Sequence, residues 1–290
     1  MIIAVGGGKG GTGKTVIAVN LAVYLANRNH KVALVDLDVD NPCTYTLLKA
    51  DLRIVSHVYS FKPKIIEDKC SLCGKCVENC PLHALVLIPG KKLLFIETLC
   101  EGCGNCIIVC PQQAIVEGRS LLGKIMAGEY NNLKLVVGEL KPGERKSDEV
   151  IDATLNYVLK VFNNYDYIIL DIPPGTGRGV YQAFKPADLI VAVTEPTMLG
   201  LHDLIKLSKL IYSMKKKWIA VINKYGLPGG IYSKLKAFLE DKGVKYLLVP
   251  YDLNLVKAYM NGKTVIMEYP ETESSKAIIN LGEKIEKGEF

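Results

Sequence analysis

The sequence predicts a doubly wound α/β fold with a mainly parallel sheet of the P-loop type and a small second α+β domain inserted into it. Three observations predict this architecture: short aliphatic runs that alternate with helical patterns, a glycine-rich loop after the first run, and a cluster of cysteines that interrupts the alternation. Strands buried on both faces of a parallel sheet are near-continuous apolar runs. A chain of 290 residues suffices for one large or two ordinary domains.

Seven aliphatic or β-branched runs are predicted to be strands, at residues 2–5, 31–35, 133–137, 167–170, 189–193, 218–222 and 246–249. Five stretches between them are predicted to be helices, at residues 15–29, 149–163, 201–214, 232–241 and 276–287. Alternation of this kind is typical of α/β folds. The α/β domain is therefore expected over residues 1–60 and 118–290, and the inserted domain over residues 61–117.

Composition and charge narrow the class of protein. Hydrophobic residues make up 49% and charged residues 23% of the chain, which is typical of a protein that folds around a core. The net charge of +6 has no concentrated patch, because the densest basic run, Lys215–Lys217, is expected to be a solvated helix end. No nucleic acid partner is therefore expected. No apolar run approaches the roughly 18 residues of a membrane helix, so we expect a cytoplasmic protein without stable membrane insertion.

A phosphate-binding loop is predicted between the first strand and the first helix, where GKGGTGKT at residues 8–15 fits the pattern G-x-x-x-x-G-K-[ST]. Glycines allow successive backbone N–H groups to point at a polyphosphate, Lys14 reaches the β- and γ-phosphates, and the Thr15 hydroxyl coordinates Mg²⁺. The predicted ATP ligands in this loop are Gly8, Lys9, Gly10, Gly11, Thr12, Gly13, Lys14 and Thr15.

Acidic residues follow two of the predicted strands. Asp36, Asp38 and Asp40 alternate along the chain, and on an extended chain this spacing suits them to hold Mg²⁺ and to orient a water toward the γ-phosphate. A solvated acidic loop is the alternative. Asp171 ends another apolar run and precedes a loop rich in glycine and proline, the Walker B layout, so it is predicted to bind Mg²⁺ through water.

The cysteines form an internal repeat of thirty residues with the pattern C-x₂-C-x₂-C-x₃-C-P in each copy. In this bacterial ferredoxin pattern the first three cysteines hold one [4Fe–4S] cluster and the fourth ligates the other. Cluster one is therefore predicted on Cys70, Cys73, Cys76 and Cys110, and cluster two on Cys100, Cys103, Cys106 and Cys80. Paired zinc sites are the alternative, although structural zinc sites separate their two CxxC pairs by a dozen or more residues.

Two other residues, Cys43 and His83, have side chains of a type that can bind metal. The ninth cysteine, Cys43, is predicted to be a buried apolar residue, and a thiol or cluster shared across a dimer axis is its alternative. His83 follows the fourth cysteine of the first repeat, but the eight cysteines already complete two clusters. No ligand role is therefore expected for His83.

The loop at residues 8–15 has a second lysine, Lys9, and with it resembles the deviant Walker A motif of the MinD/ParA class of ATPases. That class includes the nitrogenase iron protein and the Mrp-type iron–sulfur carriers, and DIPPGTG at residues 171–177 closely resembles the same segment of the Mrp-type members. The resemblance implies that Lys9 crosses a dimer interface to the phosphates of the partner. It also implies that Asp38 polarises the attacking water and that Asp36 supports the metal shell.

The same resemblance extends, with less specific motifs, to the site of the base. It implies that Asn223, at the end of a strand, reads adenine. It also implies that the loop containing Pro250 and Asp252 closes over the base.

Together these observations predict a slow, dimer-dependent ATPase with ATP, Mg²⁺ and two [4Fe–4S] clusters, in which the nucleotide state is coupled to electron transfer. Its catalytic residues would be Lys9, Lys14 and Asp38. The expected partners are a second copy of the chain or a paralogue, and a redox protein. An iron–sulfur carrier and a MinD-like positioning ATPase with a structural ferredoxin domain are the two alternatives. The first would be favoured by a CxxC pair outside the insert and the second by a basic amphipathic anchor, and the sequence contains neither.

Overall fold

The structure is a computed structural model that describes every residue from Met1 to Phe290. The strands are β1 (Ile2–Gly6), β2 (Val32–Asp36), β3 (Leu52–Ile65), β4 (Leu85–Ile88), β5 (Lys92–Phe95), β6 (Ile115–Tyr130), β7 (Leu133–Leu140), β8 (Tyr167–Asp171), β9 (Leu189–Thr194), β10 (Lys217–Tyr225) and β11 (Tyr246–Pro250). The helices are α1 (Lys14–Asn27), α2 (Thr44–Leu48), α3 (Lys75–Glu78), α4 (Asn105–Ile108), α5 (Ser147–Val161), α6 (Arg178–Phe184), α7 (Met198–Ser213), α8 (Tyr232–Asp241), α9 (Leu253–Met260), α10 (Val265–Glu268) and α11 (Glu273–Glu286).

The chain divides into two compact units. Unit 1 comprises Met1–Ser56 and Lys124–Phe290, and unit 2 comprises His57–Gly123. Both points of division fall within long strands, β3 and β6. Unit 2 therefore begins before residue 61 and ends after residue 117, the bounds expected for the inserted domain, because strands continue beyond the cysteine repeats at both ends.

A nine-stranded sheet has the order β11-β10-β9-β1-β8-β2-β7-β6-β3. Six of its strand pairings, β1–β8, β1–β9, β2–β7, β2–β8, β9–β10 and β10–β11, are parallel. Every residue of β2 and β9 is buried, as their uninterrupted apolar sequences predict. The predicted fold class, a mainly parallel α/β sheet, is confirmed by these pairings.

Helix α1 lies in the core of unit 1. Ten of its fourteen residues are buried, so the helix is apolar around most of its circumference. Gly282 of α11 packs against it so closely that a Cβ would lie 2.3 Å from a ring carbon of Tyr24. None of the helices in the chain is both long and apolar enough to cross a membrane.

Several elements were not predicted from the sequence. Strands β3 and β6 mix exposed and buried residues and contain no uninterrupted apolar run. Helices α2, α6, α9 and α10 have only four to eight residues, which is too short for a 3.6-residue periodicity to stand out. The predicted bounds of the other elements differ from those in the structure by a few residues.

Unit 2 contains the same local structure twice. A 3₁₀ turn, at Glu67–Lys69 and again at Glu97–Leu99, precedes the first cysteine of each repeat. Gly74 and Gly104, both at φ 77°, then begin the four-residue helices α3 and α4. Strands β4 and β5 pair antiparallel between the two copies. The thirty-residue sequence repeat is thus also a repeat of backbone structure.

The two copies are joined reciprocally within unit 2. The N–H of Ile66 donates to the Ala114 carbonyl at 2.7 Å, and the N–H of Ile96 donates to the Ala84 carbonyl at 2.8 Å. The buried apolar cluster between the two copies consists of Cys76, Leu85 and Ile115, with partly buried side chains packed around it. So small a cluster can stabilise a domain only weakly, which is why a domain of this size usually needs disulfides or bound metal.

Candidate functional site

The loop between β1 and α1 has the backbone shape needed to surround a phosphate chain. Gly11 and Gly13 have φ angles of 78° and 92°, in the left-handed region that favours glycine. A Cβ on Gly13 would lie only 2.2 Å from the Asn223 amide nitrogen, and one on Gly8 would lie 2.5 Å from Asp203 Cβ. Helix α1 begins at Lys14, so the free N–H groups of its first turn lie next to the loop and can bind an anion.

Lys14 is buried directly behind this loop, with a relative exposure of 6%. Its ammonium donates a hydrogen bond to the Lys9 carbonyl at 3.1 Å. Burial lowers the pKa of Lys14, whereas the negative charges of Asp171 and Asp38 oppose that shift. The lysine therefore lies among acids, at the position from which the motif predicts contact with the β- and γ-phosphates.

Asp171 is a buried carboxylate with few hydrogen-bond donors. It ends β8 beside Asp36 at the end of β2, since the two residues are paired in register. Neither Asp171 side-chain oxygen has a partner with full hydrogen-bond geometry, although the Thr15 hydroxyl lies close enough to act on its pKa. Burial raises the pKa of Asp171 well above its usual range and the Asp36 charge adds to the shift, while Thr15 and Lys14 oppose it. A carboxylate in this condition is suited to bind a cation, and two other predicted Mg²⁺ ligands, Thr15 and Asp36, adjoin it.

Asp36 organises the segment that follows β2. One of its oxygens accepts hydrogen bonds from the Cys43 N–H, the Thr44 N–H and the Thr44 hydroxyl at 2.9–3.0 Å, and the other accepts from the Asp38 N–H at 3.1 Å. Burial raises the pKa of Asp36 to about 6, although these hydrogen bonds oppose the shift. The side chain thereby caps the first turn of α2, where no side chain within the helix does so.

Asp38 and Asp40 do not remain on one side of an extended chain. The chain turns after Asp38, where the Asn41 N–H donates to the Asp38 carbonyl at 3.0 Å. Asp38 stays near Lys14: burial raises the pKa of its carboxyl, and the Lys14 charge opposes that rise. Asp40 is exposed and accepts hydrogen bonds from the Ser147 hydroxyl at 2.8 and 3.0 Å. The expectation of three aligned carboxylates was wrong for Asp40, because the turn directs it away.

Unit 2 contains two cavities lined by cysteines. The first cavity is lined by Cys70, Cys73, Cys76 and Cys110, and the second cavity by Cys80, Cys100, Cys103 and Cys106, each with neighbouring residues of the repeats. These are the two sets of four predicted from the ferredoxin pattern. All nine cysteines of the chain are free thiols. No three His, Cys, Asp or Glu side chains of residues 1–290 converge closely enough to hold a single metal ion.

The turn after each fourth cysteine also has the same geometry in both repeats. The N–H of Ala84 donates to Cys80 Sγ at 3.2 Å, and that of Ala114 donates to Cys110 Sγ at 3.3 Å. His83 has a φ of 51°, and the equivalent Gln113 a φ of 49°. The exposed His83 thus occupies a left-handed turn position that a glutamine fills in the second repeat.

Residues 3–265 match the family described as the CobQ/CobB/MinD/ParA nucleotide-binding domain. The chain belongs to this family. An uncharacterized protein of Methanocaldococcus jannaschii is 34% identical over 268 residues, which cover 92% of this chain and 91% of that protein. An iron-sulfur cluster carrier protein of Pyrococcus horikoshii is 26% identical and covers 98% of this chain and 84% of its own length.

Solved structures of the MinD/ParA family share the fold. The septum site-determining protein MinD complexed with Mg-ADP from Pyrococcus horikoshii matches with a TM-score of 0.62 and 18% identity, covering 99% of this chain and 96% of its own. MinD of Pyrococcus furiosus matches with a TM-score of 0.60 and 18% identity over 99% and 98% of the two chains. At this level of identity the likeness establishes the common fold.

An acid that the sequence analysis missed holds the second lysine of the MinD/ParA-type loop. Glu195, 7% exposed at the end of β9, accepts a hydrogen bond from Lys9 Nζ at 2.5 Å and one from Lys224 Nζ at 2.8 Å. Burial would raise the pKa of Glu195, but the hydrogen bonds from the two lysines outweigh it and lower the pKa. Lys224 also donates to the Gly11 carbonyl at 2.8 Å. An isolated acid after an apolar strand gives no sequence pattern that would have revealed this role.

Replacing Glu195 by glutamine should favour dimer formation with a non-hydrolysable ATP analogue. If Lys9 crosses to a partner, its ion pair with Glu195 has to break first, and a neutral amide holds a lysine less strongly than a carboxylate does. We expect the dimer dissociation constant to fall roughly tenfold, which corresponds to about 1.4 kcal/mol. Light scattering over a concentration series would measure it. The double variant with Lys9→Ala should remain monomeric, and an unchanged dissociation constant in Glu195→Gln would contradict the idea.

The residues predicted to contact the base have other partners in the structure. The Asn223 amide, 5% exposed, donates to the Thr12 carbonyl at 2.8 Å and so supports the phosphate loop from behind. Asp252 is the N-cap of α9, where it accepts a hydrogen bond from the Asn254 N–H at 2.8 Å and another from the Ser274 hydroxyl. Pro250 ends β11 and is paired with Tyr225 of β10. Their roles toward adenine stay predictions.

Cys43 is half-buried at the start of α2, so it is less buried than predicted from the sequence. Its thiol is 3.9 Å from the Thr15 hydroxyl, at hydrogen-bonding distance for sulfur. Burial raises the pKa of Cys43 to about 11, and the charges of Asp36 and Asp171 add to the shift. A thiol with so high a pKa is a poor nucleophile near neutral pH, which agrees with a packing role.

Proposed function

We propose that this chain binds and hydrolyses MgATP as a dimer, and that two [4Fe–4S] clusters in unit 2 transfer electrons under the control of the nucleotide. The observation that carries the proposal is the division of eight cysteines between two cavities, each with three cysteines from one repeat and the fourth from the other. A cluster of this type, when bound, takes up and releases single electrons. Membership of the MinD/ParA family supports the ATPase half of the proposal.

The donor set of each cavity fits a cluster better than a single ion. Zinc needs four ligands at about 2.3 Å from one centre. The cysteines of unit 2 do not converge on one point, although four of them line each cavity. Each cavity is partly open to solvent and has its cysteines on more than one side. Thiolates spread around a space of this kind support a polynuclear cluster.

For the ATPase, each residue has a role that its position supports. Lys14 would neutralise the β- and γ-phosphates, while the N–H groups of the glycine loop hold the phosphate oxygens. Thr15 and Asp171 would bind Mg²⁺, the latter through water, because no partner with full hydrogen-bond geometry satisfies the Asp171 oxygens. Asp38, near Lys14 and half-buried, would orient the attacking water. Lys9 would contact the phosphates of a partner subunit.

Asp36 provides a physical basis for coupling to the nucleotide. The oxygen that holds Cys43 and Thr44 at the start of α2 cannot at the same time turn fully toward Mg²⁺. Recruitment of Asp36 into the metal shell would therefore loosen the start of α2. Strand β3 begins at Leu52, four residues after α2 ends at Leu48, and leads into the cysteine repeats. A change at the nucleotide site would thus be transmitted from Asp36 through α2 and β3 to the cysteine repeats.

Replacing Asp38 by asparagine should slow hydrolysis while sparing ATP binding, because only the attacking water loses its orienting group. We expect the turnover rate to fall by roughly 10²- to 10⁴-fold, the usual contribution of a positioned acid or base. Phosphate release and nucleotide binding would be measured on the same protein. Asp40→Asn is the matched control, since Asp40 is bonded to Ser147 and should leave the rate near that of the wild type. Equal losses in both variants would remove Asp38 from this role.

An iron–sulfur carrier is the second candidate function, favoured by the similarity to a carrier protein over 98% of this chain. A carrier would pass its clusters to an apo-acceptor, whereas the favoured function keeps them. A MinD-like positioning ATPase is supported by the shared fold and by 26% identity to a septum site-determining protein MinD of Thermotoga maritima over 77% of this chain. If this chain had that function, its clusters would be structural, and their reduction potentials would not respond to nucleotide.

The decisive experiment is an anaerobic iron and sulfide determination with EPR, repeated with ADP and with a non-hydrolysable ATP analogue. We expect about eight irons per chain as two four-iron clusters, and potentials that differ between the two nucleotides. By linkage, a coupling of about 1–3 kcal/mol must also appear in the ATP affinity of oxidised and reduced protein. Tetrahedral zinc in place of iron would overturn the cluster proposal. Potentials unaffected by nucleotide would favour a structural role.

A further inference from the structure

Lys62 is a buried lysine in unit 2 that no part of the proposed function uses. It lies on β3 between Phe61 and Pro63, which both line the second cavity, and its relative exposure is 8%. Its ammonium donates to the carbonyl of Glu97 at 2.9 Å and to the carbonyl of Cys100 at 3.0 Å. Both acceptors are uncharged, so none of these hydrogen-bond partners is a counter-ion for the lysine.

A buried positive charge without a carboxylate partner is costly unless a negative charge lies nearby. Cys100 is one of the four cysteines of the second cavity, and Lys62 is bonded to its backbone. Thiolates and a reduced cluster in that cavity would supply the missing negative charge. Every added electron makes a cluster more negative, so a fixed cation stabilises its reduced form and raises its reduction potential.

The first cavity has no buried equivalent of this lysine. Thirty residues after Lys62, the equivalent position of the repeat is Lys92, which is exposed at the start of β5. The lysine that lines the first cavity, Lys75, is exposed as well. Solvent and salt screen the charge of an exposed lysine far more than that of a buried one.

Hydrogen bonds to sulfur occur in both cavities. In the second cavity the N–H of Gly102 donates to Cys100 Sγ at 3.3 Å. In the first cavity, hydrogen bonds from the Lys75 backbone and the Ser71 hydroxyl lower the pKa of Cys73. These hydrogen bonds therefore do not distinguish the two clusters.

One acid, Glu101, lines the second cavity. Glu101 is exposed, so solvent and salt screen its charge more than that of the buried Lys62. The charge of Lys62 is thus the less screened of the two at this cavity.

We propose that Lys62 makes the cluster held by Cys80, Cys100, Cys103 and Cys106 the higher-potential member of the pair, so that an electron entering unit 2 comes to rest there. This inference rests on the proposed function, because it requires both clusters. With both clusters bound, an electron would move from the reduced first cluster to the oxidised second one, so the first would be oxidised as the second is reduced. Lys62 would act through its charge on the reduction potential of the second cluster, without binding the cluster itself.

The test is an EPR-monitored redox titration of the full-length chain, with iron counted first. Cys73→Ser and Cys103→Ser, each altering one cavity, would assign the signals to the two clusters. Replacing Lys62 by glutamine keeps a hydrogen-bond donor and removes the charge. We expect the potential of the second cluster to fall by at least the 59 mV that corresponds to a tenfold change in occupancy, with the first cluster unchanged. The shift should persist at high salt.

The matched control is Lys75→Gln, which removes an exposed charge beside the first cavity and should shift its potential only slightly and only at low salt. If Lys62→Gln binds fewer than about eight irons, Lys62→Arg decides, because arginine keeps the charge. If the two clusters of Lys62→Arg differ in potential as much as those of the wild type, the inference is supported. If their potentials become equal, it is overturned. Equal potentials in wild type, or an unchanged second potential in a fully loaded Lys62→Gln, would refute it while leaving the proposed function intact. Wild-type protein without the two clusters would overturn both.

Discussion

Replacing Lys14 by alanine should abolish tight MgATP binding. Lys14 is buried among Asp38, Asp171 and the glycine loop, and its positive charge would pair with the negative charge of a bound triphosphate. Removing one partner of a buried charge pair costs about 3–5 kcal/mol, so the affinity should fall roughly 10²- to 4 × 10³-fold. Titration calorimetry with a non-hydrolysable ATP analogue would measure the loss.

The control for this variant is Lys160→Ala, at an exposed position near the end of α5. It should bind nucleotide as the wild type does. Circular dichroism and thermal unfolding would show whether the Lys14 variant keeps its fold. An affinity within a few fold of wild type, in a folded Lys14→Ala protein, would exclude Lys14 from the phosphate site.

Replacing Cys110 by serine should damage the cluster whose other ligands are Cys70, Cys73 and Cys76. Cys110 belongs to the second repeat but lines the first cavity, where its Sγ also accepts a hydrogen bond from the Ala114 N–H. A serine oxygen is a poor substitute for a thiolate, so about half of the roughly eight irons should be lost or their EPR signal altered. Anaerobic iron analysis and EPR would measure the change.

Cys80→Ser is the matched variant, because Cys80 belongs to the first repeat and lines the second cavity. The two variants should affect opposite clusters. Cys43→Ser, outside unit 2, should leave the iron content unchanged. Loss of the Cys100–Cys106 signal in Cys110→Ser would show that each repeat holds its own cluster, contrary to the crossed arrangement.

The sequence could predict those sites whose residues lie close together along the chain. The phosphate loop needs consecutive glycines before Lys14 and Thr15, and the crossed cysteine sets follow from fixed spacing, so both were accessible. The apolar strand that ends at Asp171 was accessible for the same reason. Burial on both faces leaves a continuous aliphatic run that can be recognised without any tertiary information.

What the sequence could not predict depends on contacts between distant residues. Glu195 is 186 residues away from Lys9 along the chain, and nothing around it distinguishes it from an ordinary acid at a strand end. Asp40 continues the alternation of Asp36 and Asp38 in the sequence, but a backbone turn brings it to Ser147. Lys62 has no distinguishing neighbours in the sequence, because its burial and its hydrogen bonds to the carbonyls of Glu97 and Cys100 arise only in the fold.

The buried carboxylate of Asp171, which has no partner with full hydrogen-bond geometry, has a consequence for how the protein survives between rounds of nucleotide binding. A buried acceptor without a donor costs about 1–3 kcal/mol, and more when it is charged. The folded chain bears this cost whenever no cation is bound, so a cation that binds Asp171 raises the free energy of unfolding by mass action. Magnesium bound at Asp171 would thus act as a folding ligand as well as a cofactor. The fraction of molecules open to proteases would then follow the supply of magnesium in the cell.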